Sequence, residues 1–283
     1  MKSLTDSYTL NNGYKIPCIG FGTYQIPDDD IGISSVHTAI INGYRHIDAA
    51  AVYGNERSIG KAIRNCGVDR KQLFITSKVW NTERGFDKTL AAFKQTLEDL
   101  QLDYLDLYLV HWPAAKGILS EWQRINLETW RAMEHLYKEG FIRTIGVSNF
   151  LPHHLIPLMD QANIQPMVNQ IEYHPGQMQI ETVELCKKHH MIVEAWSPLG
   201  TGKMLSNPQL KDIAEKYGKS VAQLCIRWCL QNDILPLPKS VTSSRIKENT
   251  EIFDFIISGE DMSVINSMPY IGGSGLHPDN LDF

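Results

Sequence analysis

"LFITSKVWNTERGFDKTLAAFKQTLEDLQLDYLDLYLVHW" (residues 73–112) decides the fold class. It opens on an apolar run, 73–79, and closes on another, 106–112, while 88–102 between them repeats its apolar residues at helical spacing. Runs too apolar to have a wet face suit strands buried on both sides, and the middle segment suits an amphipathic helix. The stretch therefore reads as a β-α-β unit with parallel strands.

Working outward, the alternation recurs. Apolar runs at 18–22, 44–48, 143–148, 167–173, 191–197 and 234–240 bring the number to eight, and helical patterns such as 128–140 end in Gly or Asn. Eight such units suit a single-domain α/β protein over residues 1–283, a closed (β/α)8 TIM barrel. An open doubly wound sheet shares the periodicity. However, "GFG" at 20–22 leaves Gln25 where a dinucleotide fingerprint needs its third glycine, which favours closure. Ahead of the barrel, "YTLNNGYKI" (8–16) sets Asn-Gly between apolar flanks and predicts an N-terminal β-hairpin.

Composition excludes several function classes. The 283 residues are 43% hydrophobic and 21% charged, with a formal net charge of −5 and no long run of one sign. Nucleic acid and anionic membrane surfaces are poor partners for such a chain, so an anionic ligand needs a local basic cluster. Five cysteines without a C-x-x-C, a polar N-terminus and the lack of any long apolar stretch point to a reducing cytoplasm.

In a TIM barrel, chemistry gathers at the C-terminal ends of the strands. Asp48 closes the second run, Tyr53 lies in the loop after it, Lys78 is near the end of the third and His111 near the end of the fourth. Each alone has an ordinary reading as turn former, packing residue, solvated cation or satisfied histidine. Lys78 resists that reading, because an ammonium inside an apolar run needs a partner, and Asp48 on the adjacent strand supplies one. A lysine held by an aspartate and aimed at a tyrosine favours phenolate. Bringing a phenol from pKa ~10 to neutrality takes about 4 kcal/mol, which one charge at about 4 Å supplies at an effective dielectric near 20. Tyr53 then becomes a general acid and His111 a donor to a substrate oxygen. The set protonates an oxygen but supplies no electron pair to carbon.

"GYRHIDAAAVYGNE", "LFITSKVW", "LDYLDLYLVHWP", "GVSNF", "NQIEYHP", "EAWSPLG" and "LPKSV" together resemble the aldo-keto reductase superfamily, over the whole length to Phe283. The look is that of the small bacterial-type members that reduce glyoxal, methylglyoxal or 2,5-diketogluconate. The resemblance implies NADPH, with hydride passing from nicotinamide C4 to a carbonyl carbon while Tyr53 protonates the oxygen. It also implies Ser148, Asn149 and Gln170 at the carboxamide, Trp196 stacked on the ring, and Ser197, Pro198 and Leu199 along the pyrophosphate. Lys239, Ser240 and Arg245 would hold the 2′-phosphate, and Glu248 and Asn249 the adenine. Lys239, Arg245 and Lys247 are independently the local basic cluster an acidic chain needs for phosphate, beside a predicted helix start.

Tyr24, Trp80 and Trp112 are expected to form an aromatic wall suited to small aldehydes, dicarbonyls and aryl carbonyls, in a monomer with no nucleic-acid or membrane partner. Two departures stand out: "PAAKGILSEWQRINLETW" (113–130) looks long for the small members, and Ala49 replaces a common Thr. "SPLGTGKM" has Met204 where a P-loop needs Ser or Thr, so it reads as a loop over the cofactor. The His doublets at 153 and 189 lack carboxylate or Cys neighbours at metal spacing and read as surface or capping residues, with no metal expected. Cys225 and Cys229, four apart on a helix, read as core packing. Two rival functions remain from sequence, an NADPH-binding sensor without turnover and a Schiff-base lyase using Lys78.

Overall fold

Eight parallel strands follow the eight apolar runs. A computed structural model describes residues 1–115 and 120–282. The hairpin comes first: β1 (Ser7–Thr9) pairs antiparallel with β2 (Lys15–Pro17), Tyr8 opposite Ile16. Its turn needs Gly13, whose φ of +87° disfavours other residues.

The barrel strands are β3 (Phe21–Gly22), β4 (His46–Asp48), β5 (Phe74–Val79), β6 (Leu105–Val110), β7 (Ile142–Ser148), β8 (Val168–Glu172), β9 (Ile192–Trp196) and β10 (Leu235–Leu237). They pair in chain order, and every pairing is parallel. Closure comes from Gly20 N donating to Pro236 O (3.0 Å) and Gly22 N to Pro238 O (3.1 Å).

The outer layer consists of α1 (Asp30–Ile41), α2 (Glu56–Asn65), α3 (Phe86–Leu100), α4 (Trp122–Lys138), α5 (Pro152–Met159), α6 (Ile180–Lys188), α7 (Pro208–Lys216), α8 (Val221–Gln231), α9 (Ser243–Glu248) and α10 (Gly259–Asn266). Local chemistry sets their ends: Asp29 accepts from Ile31 N and Gly32 N at the start of α1, and Ser220 and Gln223 form a capping box on α8. α2 packs against the end of α3 through Gly60, where a Cβ would lie 2.1 Å from Leu100 O. Cys225 and Cys229 are buried in α8, as expected of core residues, and all five cysteines are free and buried. Among the described residues no helix is long and apolar enough to cross a membrane.

Four strands, β6, β8, β9 and β10, stop short of their apolar runs at the C-terminal end, which positions part of the site. β6 ends at Val110, so His111 and Trp112 open the following loop, and Ser197 and Lys239 likewise lie beyond β9 and β10. In the long segment after β6, residues 116–119 lie outside the described residues; α4 begins at Trp122.

The register adds a polar ring to the upper barrel. Asp48 pairs with Thr76, and Gln170 of β8 with Glu194 of β9. Because side chains alternate along a strand, His46, Asp48, Thr76 and Lys78 all face inward. His46 and Thr76 meet at 2.9 Å, and Lys78 meets Asp48 above them.

Candidate active site

Lys78 is fully buried behind Asp48 and Tyr53, which line a cleft of about 1520 Å³ at the strands' C-terminal ends. Its Nζ donates to Asp48 Oδ2 (2.7 Å) and Oδ1 (2.9 Å), to Ala49 O (2.9 Å) and to Tyr53 OH (3.3 Å). Burial alone would push the ammonium down, but Asp48 and Tyr53 hold it above the usual lysine range. Burial works the other way on Tyr53 and raises its phenol above the ordinary value; Lys78 opposes this and Asp48 adds to it. The expected depression of Tyr53 is therefore corrected. The lysine charge is largely compensated by a carboxylate at 2.7 Å, and desolvation of the phenolate outweighs what is left.

His111 lies beside Tyr53, ring centroids 5.8 Å apart, and faces Trp80 at 5.1 Å. Burial, then Lys78 and Arg84, hold its imidazole well below the usual range, so it is neutral. Arg84, itself buried, donates to Trp112 O, Asn126 Oδ1 and Thr129 Oγ1 and ties the loop carrying His111 and Trp112 to α4. Tyr24, Trp80 and Trp112 all line the cleft, with Tyr24 against Tyr53 at 5.1 Å.

Opposite them, the expected carboxamide residues form one network. Ser148 Oγ donates to Gln170 O (2.8 Å), and Asn149 Nδ2 donates to Ser148 Oγ (3.1 Å) and His111 O (3.0 Å). Asn149 Oδ1 accepts from Trp196 Nε1 (2.8 Å), which fixes the indole at the cleft edge. Asn149 thus joins protein groups to one another, from a left-handed backbone with φ 65°.

Ser197, Pro198, Leu199, Lys239, Ser240, Arg245, Glu248 and Asn249 line the same cleft. Lys239 and Arg245 are exposed there and form no ion pair among the described residues. Lys247 departs from the expected cluster: it is absent from the lining and sits 3.7 Å from Glu251, one helical turn on. Gln25, Val52 and Leu205 also reach the cleft, as do Lys203, Ser274 and Leu276. The segment carrying Ser274 is pinned by Glu172, which accepts from Ser274 N (2.6 Å) and Oγ (2.7 Å), and by Lys203 donating to Gly273 O (2.8 Å). Only Lys203, in "SPLGTGKM", carried a signal in the sequence.

The first His doublet does have a carboxylate. His153 Nε2 and His154 Nε2 lie 2.9 and 3.0 Å from Asp279 Oδ1, which corrects the expectation from spacing. His154 Nδ1 accepts from Leu151 N (3.2 Å), so its proton sits on Nε2 and is donated to Asp279. The capping reading of His154 holds, and the contact fastens the C-terminal segment to α5.

A closed parallel barrel with a buried Lys-Asp pair, a tyrosine and a neutral histidine at its mouth defines the class as a barrel enzyme. The aldo/keto reductase family model matches residues 18–269, and the chain belongs to that family of oxidoreductases. It is 49% identical over 281 residues to glyoxal reductase of Bacillus subtilis (strain 168), 99% of each chain being covered. Among solved structures, it resembles an aldo-keto reductase enzyme from a Medee basin deep-sea metagenome library. That match has TM-score 0.92 and 42% identity, covering 98% of this chain and all of the other. It also resembles a Gox0644 variant in complex with NADPH, with TM-score 0.91, 38% identity and 99% of each chain covered.

Proposed function

We propose that this protein reduces small aldehydes and ketones, including dicarbonyls such as methylglyoxal and aryl aldehydes, to alcohols with NADPH. The observation that carries this reading is Lys78 Nζ, bound to both Asp48 oxygens and 3.3 Å from Tyr53 OH. Asp48 and Tyr53 line a cleft that is also lined by Lys239 and Arg245, cations with no ion pair among the described residues. The cleft suits the cofactor: those cations are exposed to it, and Gln170 offers it a carbonyl with no partner among the described residues. The similar glyoxal reductase and the NADPH-bound relative support the same reading.

Bound NADPH supplies a hydride to the carbonyl carbon. Side chains do the rest. Tyr53, with its phenol raised, stays protonated at neutral pH and gives its proton to the forming alkoxide, a much stronger base than phenolate. Lys78 then faces the phenolate it stabilises, and Asp48 keeps the lysine charged and in place. Neutral His111 donates one N–H to the substrate oxygen and orients it. Ser148 and Gln170 would hold the carboxamide, with Asn149 and Trp196 beside them. Ser197 to Leu199 would hold the pyrophosphate, Lys239, Ser240 and Arg245 the 2′-phosphate, and Glu248 with Asn249 the adenine. Tyr24, Trp80 and Trp112 shield the reacting carbonyl from water. An ammonium held protonated has no lone pair to offer, which disfavours a Schiff-base role for Lys78. Free cysteines suit the cytoplasm, and we expect a monomer.

The test is NADPH consumption over a carbonyl panel, repeated with NADH. Tyr53→Phe is expected to lower kcat about 10²–10⁴-fold without weakening NADPH binding. Turnover unchanged in that variant would refute the acid role, and NADPH binding without any turnover in the wild type would leave the sensor reading.

A further inference from the structure

Glu194 is fully buried on β9, beneath the cleft, and takes no part in the mechanism above. Gln170 Nε2 donates to two acids at once, Asp48 Oδ1 (2.8 Å) and Glu194 Oε2 (2.8 Å). The two strands are paired in register at these residues, so the contact is fixed by the sheet itself. Glu194 Oε1 has no hydrogen-bond partner among the described residues; His46 Nε2, which is engaged with Thr76 Oγ1, lies 3.9 Å from it.

We infer that Glu194 is a positioning residue for cofactor recognition: it fixes the orientation of the Gln170 amide. This rests on the proposed binding of NADPH. A primary amide has two N–H donors and one carbonyl. With both donors taken by Asp48 and Glu194, Oε1 is the one group of Gln170 left for the cleft that the residue lines. An acceptor there selects a ligand bearing N–H, such as a carboxamide. A rotated amide would instead set Oε1 against the Asp48 carboxylate and take from Glu194 Oε2 the N–H it accepts. Burial and Asp48 push the Glu194 carboxyl up to about 8, so at neutral pH it accepts as a neutral acid and adds no second charge beside Asp48.

The test compares NADPH with its 3-acetylpyridine analogue, in which a methyl group replaces the carboxamide nitrogen. Dissociation constants are measured by titration calorimetry without substrate, so the readout is independent of turnover. Wild-type protein is expected to prefer NADPH by about tenfold, the worth of one buried hydrogen bond. Glu194→Met, which removes the acceptor, is expected to weaken NADPH by about tenfold and leave the analogue unchanged, so the preference collapses. Glu194→Asp withdraws the acceptor by one methylene and should show the same collapse where the Met variant folds poorly. Glu194→Gln, which still offers a carbonyl oxygen, should retain the preference. A preference that survives both Glu194→Met and Glu194→Asp overturns the assignment. So does equal weakening of both cofactors, which marks a merely structural residue. Failure of the wild type to bind NADPH would instead refute the cofactor reading.

Discussion

Asp48→Asn removes the charge that compensates Lys78 while keeping the side chain's shape. Lys78 has no exposed surface, and among the described residues Asp48 is its only charged partner, held at 2.7 and 2.9 Å. Removing one member of a buried pair leaves an uncompensated charge, so the variant should lose about 3–5 kcal/mol of stability at pH 7. The pH dependence isolates the cause. In the wild type, Lys78 is held above its unfolded value, so its contribution is fully present up to that value and is lost only above it. In the variant, burial acts unopposed and the folded-state value falls below the unfolded one. The unfolded chain then binds more protons in that interval, and the variant's stability rises with pH by about 1.4 kcal/mol per pH unit. Urea unfolding of both proteins between pH 7 and 10 reads the difference. The gap should narrow as pH rises; a gap constant across that range would refute the claim that Asp48 keeps the buried ammonium charged.

Lys239→Met should weaken NADPH by about tenfold and leave NADH unchanged, since it removes one charge-assisted bond to a group that NADH lacks; paired titrations check this. Glu194, pushed up to about 8, makes the folded protein hold an extra proton between about 4.5 and 8, so wild-type stability falls across that window as pH rises. Glu194→Gln does not titrate and should gain on the order of 3 kcal/mol relative to wild type between pH 5 and 8, read from urea midpoints. His154 has the opposite sign. Burial, then His153, holds it down to about 4, so stability is lost as pH falls from about 6.5 to 4. The loss should be of order 2 kcal/mol and should be absent in His154→Phe, by the same measurement.

The barrel was legible because strands covered on both faces must be apolar throughout, and β5 and β6, buried at every residue, state that most plainly. Lys78 stood out for the same reason: inside such a run an ammonium is an anomaly, and one acid on the next strand resolves it. What stayed hidden depends on register and on distance along the chain. Nothing in "NQIEY" or "EAWSP" says that Gln170 lies beside Glu194, a contact set by how β8 slides against β9. Asp279 reaches His153 across 126 residues, beyond any local spacing rule. Lys247 misled because α9 is a short helix in which residues two apart point to different sides. Tyr53 is the sharpest case. A single lysine at hydrogen-bond distance predicts a depressed phenol, and the lysine is there, at 3.3 Å. The same buried floor that makes Lys78 need Asp48 also desolvates the phenolate, and the aspartate that anchors the lysine cancels most of its field. The conditions that hold the lysine in place therefore keep Tyr53 protonated, as a donor requires, until an alkoxide forms beside it.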